Sequence, residues 1–242
     1  MTDQKSLLDE VRAALRSEPR IDLHRMPLHL QLEDGVLTME GEVANVAAKK
    51  LALQRGVALD GVSAIIDRLR VKPAQAMGDG ALRDHLCRAL LDEPALREAS
   101  ILERRKGEVE TLRESPLDKR GAIEVSVADG VVTLNGQLQG LDEKRLVGLL
   151  AWWVPGSRDV INGIAVDPPE EDSPDAIAEA VRLALERDPF VGASQIRVGV
   201  RRSVVTLSGI VPTEAEREMA EFDAWYVFAV DQVVNWIEVG GD

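Results

Sequence analysis

A single cysteine, Cys87, stands in 242 residues, so no internal disulfide can form. The three histidines, His24, His29 and His85, have no spacing that sets two rings on one helix face. His85 and Cys87 are two apart on an expected helix and point away from each other. No metal or cofactor site is therefore expected. Aromatics make up only 3% of the chain, so each one carries weight. No apolar run reaches the length of a membrane span. The stretch from Met1 to Glu10 has no apolar core and no cleavage site. The expected compartment is the cytoplasm, with the periplasm as the alternative if a signal was removed. No nucleophile motif, phosphate loop or calcium loop occurs, so no catalytic residue is assigned and an enzyme is disfavoured.

Charge is plentiful but uneven. Residues 1–73 carry 11 basic and 11 acidic side chains, residues 74–167 carry 12 and 16, and residues 168–242 carry 6 and 15. The net charges are 0, −4 and −9, which sum to −13. An acidic C-terminal third repels phosphate backbones, so nucleic acid is not an expected partner. It also disfavours anionic lipid, and any such contact should fall on the neutral first part or on an apolar edge.

One stretch occurs three times: Gly35 to Gly41, Gly130 to Gly136 and Ser203 to Gly209. Each copy alternates apolar residues behind a turn signal, and each precedes a helical pattern. Three modules follow: 1–73, 79–167 and 173–240. A unit of this size buries only about 60% of its unfolded surface, so each should lean on a neighbour or a partner.

Each module opens on a helix with one apolar stripe, such as Leu82, Leu86, Ala89 and Leu90. Ser173 and Pro174 mark the start of the third copy. Glu18-Pro19, Glu93-Pro94 and Asp188-Pro189 end the three helices. A strand comes next, then a tight turn at Asp34-Gly35, Asp129-Gly130 or Arg202-Ser203. The last of these lacks glycine and is expected to be longer or strained. The repeated stretch is the second strand, with Gly41, Gly136 and Gly209 facing inward, for close helix approach or a bulge. A second helix follows near 45–59, 140–154 and 213–227, with Ala47, Leu51, Leu146, Leu149, Met219 and Phe222 as core. A third strand closes the module. The expected fold class is α+β: three tandem modules in the order helix–strand–strand–helix–strand, each a three-stranded mixed sheet with two helices on one face. The linker Pro168 to Asp172 should be stiff and extended.

Module two carries roughly 20 extra residues, about 97–121. A hairpin turning at Lys106-Gly107 fits, and a helix fits nearly as well. A solvated excursion is preferred over a partner-binding arm.

The run Asp129 to Gly136, the later Pro155 to Val166, and their counterparts Val204 to Gly209, Pro212 to Glu216 and Val233 to Val239 resemble the BON domain family, named for bacterial OsmY and nodulation proteins. The resemblance covers nearly the whole chain. It implies non-enzymatic binding modules associated with the bacterial envelope, phospholipid interaction and osmotic stress, and in one cytosolic branch with potassium binding.

Asp67, Asn162 and Asn235 recur on the third strand and are expected to satisfy loop or helix-end backbone groups. Cys87 holds the position of Arg12 and Arg182 in the sister helices, so a free thiol on the polar side is expected. Trp152-Trp153 and Trp225-Tyr226 end the second helices of modules two and three. Trp236 falls on the open sheet face, as do Val36, Ile66, Val131, Ile161, Val204 and Val234. Packing of these faces between modules is preferred over a lipid or protein site. The candidate interaction surface is Trp152, Trp153, Trp225, Tyr226 and Trp236. Two functions remain open: an interaction protein meeting protein or zwitterionic lipid surfaces, and a cytosolic ion or small-ligand sensor, with a potassium-like monovalent cation held on backbone carbonyls at module junctions.

Overall fold

The computed structural model describes residues 2–115 and 121–240, so the end of the insert at 116–120 lies outside the described residues. Two compact units result, Met1–Lys72 and Pro73–Asp242.

The first unit runs α1 (Thr2–Arg16), β1 (His29–Glu33), β2 (Val36–Val43), α2 (Val46–Val57) and β3 (Ala64–Val71). β1 is antiparallel to β2, from His29↔Glu40 to Glu33↔Val36, and β3 is parallel to β2. Asp34 and Gly35 both have positive φ, 49° and 78°, which matches the twist that a two-residue hairpin turn needs. Asn45 caps α2 by accepting the Ala48 N–H at 2.9 Å. Val11 and Leu15 of α1 and Leu37, Met39 and Leu69 of the sheet are all fully buried.

The second unit repeats this order twice. Module two has α3 (Asp79–Asp92), β4 (Ser100–Arg105), β5 (Glu108–Arg113), β6 (Ala122–Ala128), β7 (Val131–Leu138), α4 (Leu141–Trp153), β8 (Asp159–Asn162) and β9 (Ala165–Val166). Module three has α5 (Pro174–Arg187), β10 (Ile196–Arg201), β11 (Val204–Val211), α6 (Glu214–Tyr226) and β12 (Gln232–Val239). Leu134 and Leu207 occupy matching buried places under their helices, as Met39 does in the first unit. The third hairpin turn is as short as the others, with Arg202 alone taking positive φ, 56°.

Module two departs from the three-stranded expectation. Its insert is a hairpin turning at Lys106-Gly107, and it widens the sheet to the order β5-β4-β6-β7-β8, with β9 also on β7. The cause lies in β4 itself, whose alternation places Ile101 and Glu103 on the helix side. The insert is thus part of the fold rather than a solvated excursion.

The inward glycines serve strand packing, not helix approach. Gly209 sits at φ 150°, and a Cβ there would lie 2.0 Å from the Gln195 carbonyl oxygen. Gly136 meets the Ala122 carbonyl in the same way. Of the expected helix-core residues, Ala47, Leu146 and Leu149 are buried, while Leu51 is only half-buried. Ala220, Ala224 and Trp225 face the sheet of module three, while Met219 and Phe222 are only half-buried. Small residues let the helix approach: Ala52 and Gly56, Val147 and Ala151, and Ala220 and Ala224 hold the same two places.

Candidate interaction surface

The five aromatic residues separate into three environments. Trp225 is 1% exposed and belongs to the core of module three. Trp152, Trp153 and Tyr226 are half-buried where α4 meets α6. Trp152 stacks on Tyr226 with ring centroids 5.9 Å apart and planes at 16°. The Trp153 indole N–H donates to Asp223 Oδ1 at 3.0 Å. Trp236 is 68% exposed. Modules two and three therefore join through their helices, and the expectation that sheet faces would cover one another is corrected.

The open sheet faces remain bare. Ile66 and Ile161 are exposed, and Val131, Val204 and Val234 are half-exposed. On module three, Arg197, Ser208 and Trp236 form one row across the sheet. Arg201, Val204 and Gln232 form another. This face carries two arginines although residues 168–242 have 6 basic and 15 acidic side chains. The acidity of the third module averaged over its sequence does not describe this face.

These repeated elements can be compared with known families. The BON domain model matches residues 3–73, 109–168 and 173–241. The chain belongs to the BON domain family. It is a family of binding domains, and the three matches are three tandem BON modules. The second match begins at β5, because the insert separates α3 from the rest of its module. None of the curated proteins matches the chain. Among solved structures, the C-terminal domain of CdsD, the structural protein of the type III secretion system of Chlamydia trachomatis, is 13% identical with a TM-score of 0.26, over 97% of this chain and 98% of that one. A second CdsD structure is 14% identical with a TM-score of 0.25, over 97% and 92%. At those values the likeness does not bear on this chain's role.

Several polar groups of the BON modules were not singled out from the sequence. Asp223 is 2% exposed, and its carboxyl is pushed up to about 8, chiefly by burial and then by the Asp188 carboxylate, with the Trp153 N–H pulling the other way. Arg145 is 4% exposed beside a cleft of about 730 Å³ between α4 and α5, floored by Leu146, Leu149 and Leu183. Burial draws its guanidinium below the ordinary value, against Asp142 and Glu170. The linker supplies the counter-charges. Asp172 pairs with Arg145, and Glu170 accepts the Leu141 N–H at 2.8 Å, where Gly140 offers no side-chain cap. The linker is thus strapped to α4. Only the like-charged run of carboxylates hinted at this.

Cys87 corrects the surface expectation. It is 4% exposed, and burial, then Glu103, push its thiol up to about 12. β4 covers the flank of α3 that is polar in the sister helices, and the Arg83–Glu103 pair closes at 2.9 Å beneath it. The strand polar residues hold backbone. Asn162 and Asn235 donate to the carbonyls of Lys144 and Arg217, at 2.8 and 3.1 Å, and accept the N–H groups of Ile164 and Ile237. In module one Asp67 instead pairs with Lys49 Nζ at 2.9 Å. These bonds reach the early turns of the second helix rather than its end. Among the described residues, no group of three or more His, Cys, Asp or Glu side chains could hold a metal, and no helix is long and apolar enough to cross a membrane.

Proposed function

We propose that this BON protein is a non-enzymatic binding protein whose contact surface is the open sheet face of module three. Bacterial stress or envelope homeostasis is its setting. One observation carries the proposal: Trp236 is 68% exposed, in line with Arg197, on a face that no other element among the described residues of its unit covers. An indole that exposed is costly to hydrate and suits a surface that is apolar and polar at once. The most perturbed titratable groups, Cys87 and Asp223, are sealed from any substrate.

The surface met is a lipid headgroup layer or a protein. Flotation with zwitterionic and anionic vesicles tests this, using the full chain and Trp236→Ser. Lipid contact predicts flotation that drops about tenfold in the variant. Failure to float with any vesicle leaves a protein partner. Undiminished flotation by Trp236→Ser would remove this face from the account.

A further inference from the structure

Module two shows what its sheet edge can hold. β4 lies along the outer edge of β6 in parallel register, from Ser100↔Ala122 to Glu103↔Val125. Ile101 fills the core under α3, and Glu103 is buried against Arg83. On the opposite face Arg104 makes a two-bond fork to Glu124, at 2.8 and 3.0 Å. A strand from this same chain is therefore seated on the edge, held by backbone pairing and by one ion pair on each face.

The equivalent strand of module three is β10, and it ends its sheet. α5 packs on β10 as α3 packs on β6. An uncovered edge presents a row of N–H and C=O groups to any extended chain. Three side chains beside this edge are changed. Arg83, the partner of Glu103, is replaced in α5 by Ala178, Cys87, lying over β4, by Arg182 one turn on, and Glu124 is replaced in β10 by Arg197. Arg182 is half-exposed and pairs at 3.0 Å with Glu179 of its own helix, a weak surface bond. Arg201 follows Arg197 on the same face of β10. The open-face side of the vacant edge is basic through Arg197 and Arg201, where module two has Glu124 and Ala128, and the helix side offers Arg182 once it leaves Glu179.

We propose that the outer edge of β10 binds an extended acidic segment of a partner protein, added parallel to β10 as β4 is added to β6. The segment carries an apolar residue at the place of Ile101 and carboxylates at the places of Glu103 and Arg104. The first carboxylate meets Arg182 and the second meets Arg197. Specificity comes from charge, while the backbone ladder supplies affinity for any strand. The edge shares Arg197 with the Trp236 face but does not use Trp236 or vesicles, so Trp236→Ser separates the failure of one reading from that of the other.

The probe is a fluorescent synthetic peptide of residues 98–107 carrying Arg104→Glu and Arg105→Glu. Its counterpart keeps both arginines and carries Glu103→Lys. Each is titrated into the full chain by anisotropy, and amide hydrogen exchange locates the contact. The acidic peptide should bind roughly tenfold more tightly than the basic one and slow exchange within 196–201. Arg182→Glu and Arg197→Glu lie on exposed side chains and should each weaken it roughly threefold. Trp236→Ser should leave it unchanged. Equal binding of the two peptides, no binding at about 1 mM, or slowed exchange confined to other strands would overturn the proposal.

Discussion

At the same two positions, module one holds Glu18 and Arg55 while module three holds Asp188 and Asp223. The backbone corner is shared: an acid before the helix-ending proline accepts an N–H two residues on, from Arg20 in one case and Phe190 in the other. The second partner differs. Arg55 Nη2 reaches Glu18 at 3.0 Å with half its side chain in solvent. Asp223 is covered by α4 of module two and takes the Trp153 indole N–H instead. Module two offers a third outcome, in which Glu93 pairs with Arg187 of α5. An exposed corner keeps an ion pair. In module three the corner covered by its neighbour holds a carboxyl in place of the cation, and burial pushes that carboxyl up to about 8. Repeats of one fold thus diverge first where they touch something.

Five substitutions break or sharpen that comparison. The largest effect is expected from Gly209→Ala, where the new methyl group meets the Gln195 carbonyl at 2.0 Å and φ is 150°. We expect a loss of about 3 kcal/mol or more, read from urea unfolding. The sister change Gly41→Ala should cost less, because its nearest contact is the flexible end of Leu28 at 2.8 Å. A Gly41→Ala loss equal to that of Gly209→Ala would show that backbone conformation, rather than the clash, sets both.

Cys87→Arg installs the residue found in both sister helices. Under β4 it would bury a second guanidinium beside Arg83, costing on the order of 3 kcal/mol. A thiol reagent should correspondingly label native wild-type protein far more slowly than the unfolded chain. Rapid native labelling would contradict a sealed Cys87.

Asp223→Asn comes next. The carboxyl has an ordinary value of 3.8 and a folded value of about 8. Below pH 4 both folded and unfolded chains hold this proton, and burial carries no titration penalty. As pH rises toward 8, the unfolded chain releases it and the folded chain does not, so wild-type stability falls; above 8 the loss levels off. Asparagine keeps an acceptor for Trp153 and does not titrate. The variant should therefore gain roughly 2 kcal/mol over wild type at pH 8 and nothing at pH 3.5, as Tm differences. A pH-independent difference would mean that Asp223 carries no buried proton. The smallest effect is expected at the exposed corner, where Arg55→Gln should cost a few tenths of a kcal/mol and less in high salt.

Much of the BON architecture was readable in advance because its signals are local. The prolines after Glu18, Glu93 and Asp188, the Asp-Gly turns, and the cap at Ser173 act within a few residues. Alternation placed Leu134, Leu207 and Trp236 on their correct faces. The candidate surface was less legible. Trp152, Trp153, Trp225 and Tyr226 look alike in a sequence, yet one is core and three are junction. Helical spacing fixes the angle between neighbours but not what stands opposite.

The amino-acid order alone determined that one unit was copied three times, with its hydrophobic side toward a helix pair, because period and turn chemistry are written within each copy. Only the tertiary structure decided that the insert joins a sheet, that Cys87 is sealed, that helices rather than sheet faces join modules two and three, and that the β10 edge stays open. Each of those outcomes depends on residues about 15 or more positions apart meeting in space, where burial and charge are set by the neighbour and not by the chain nearby.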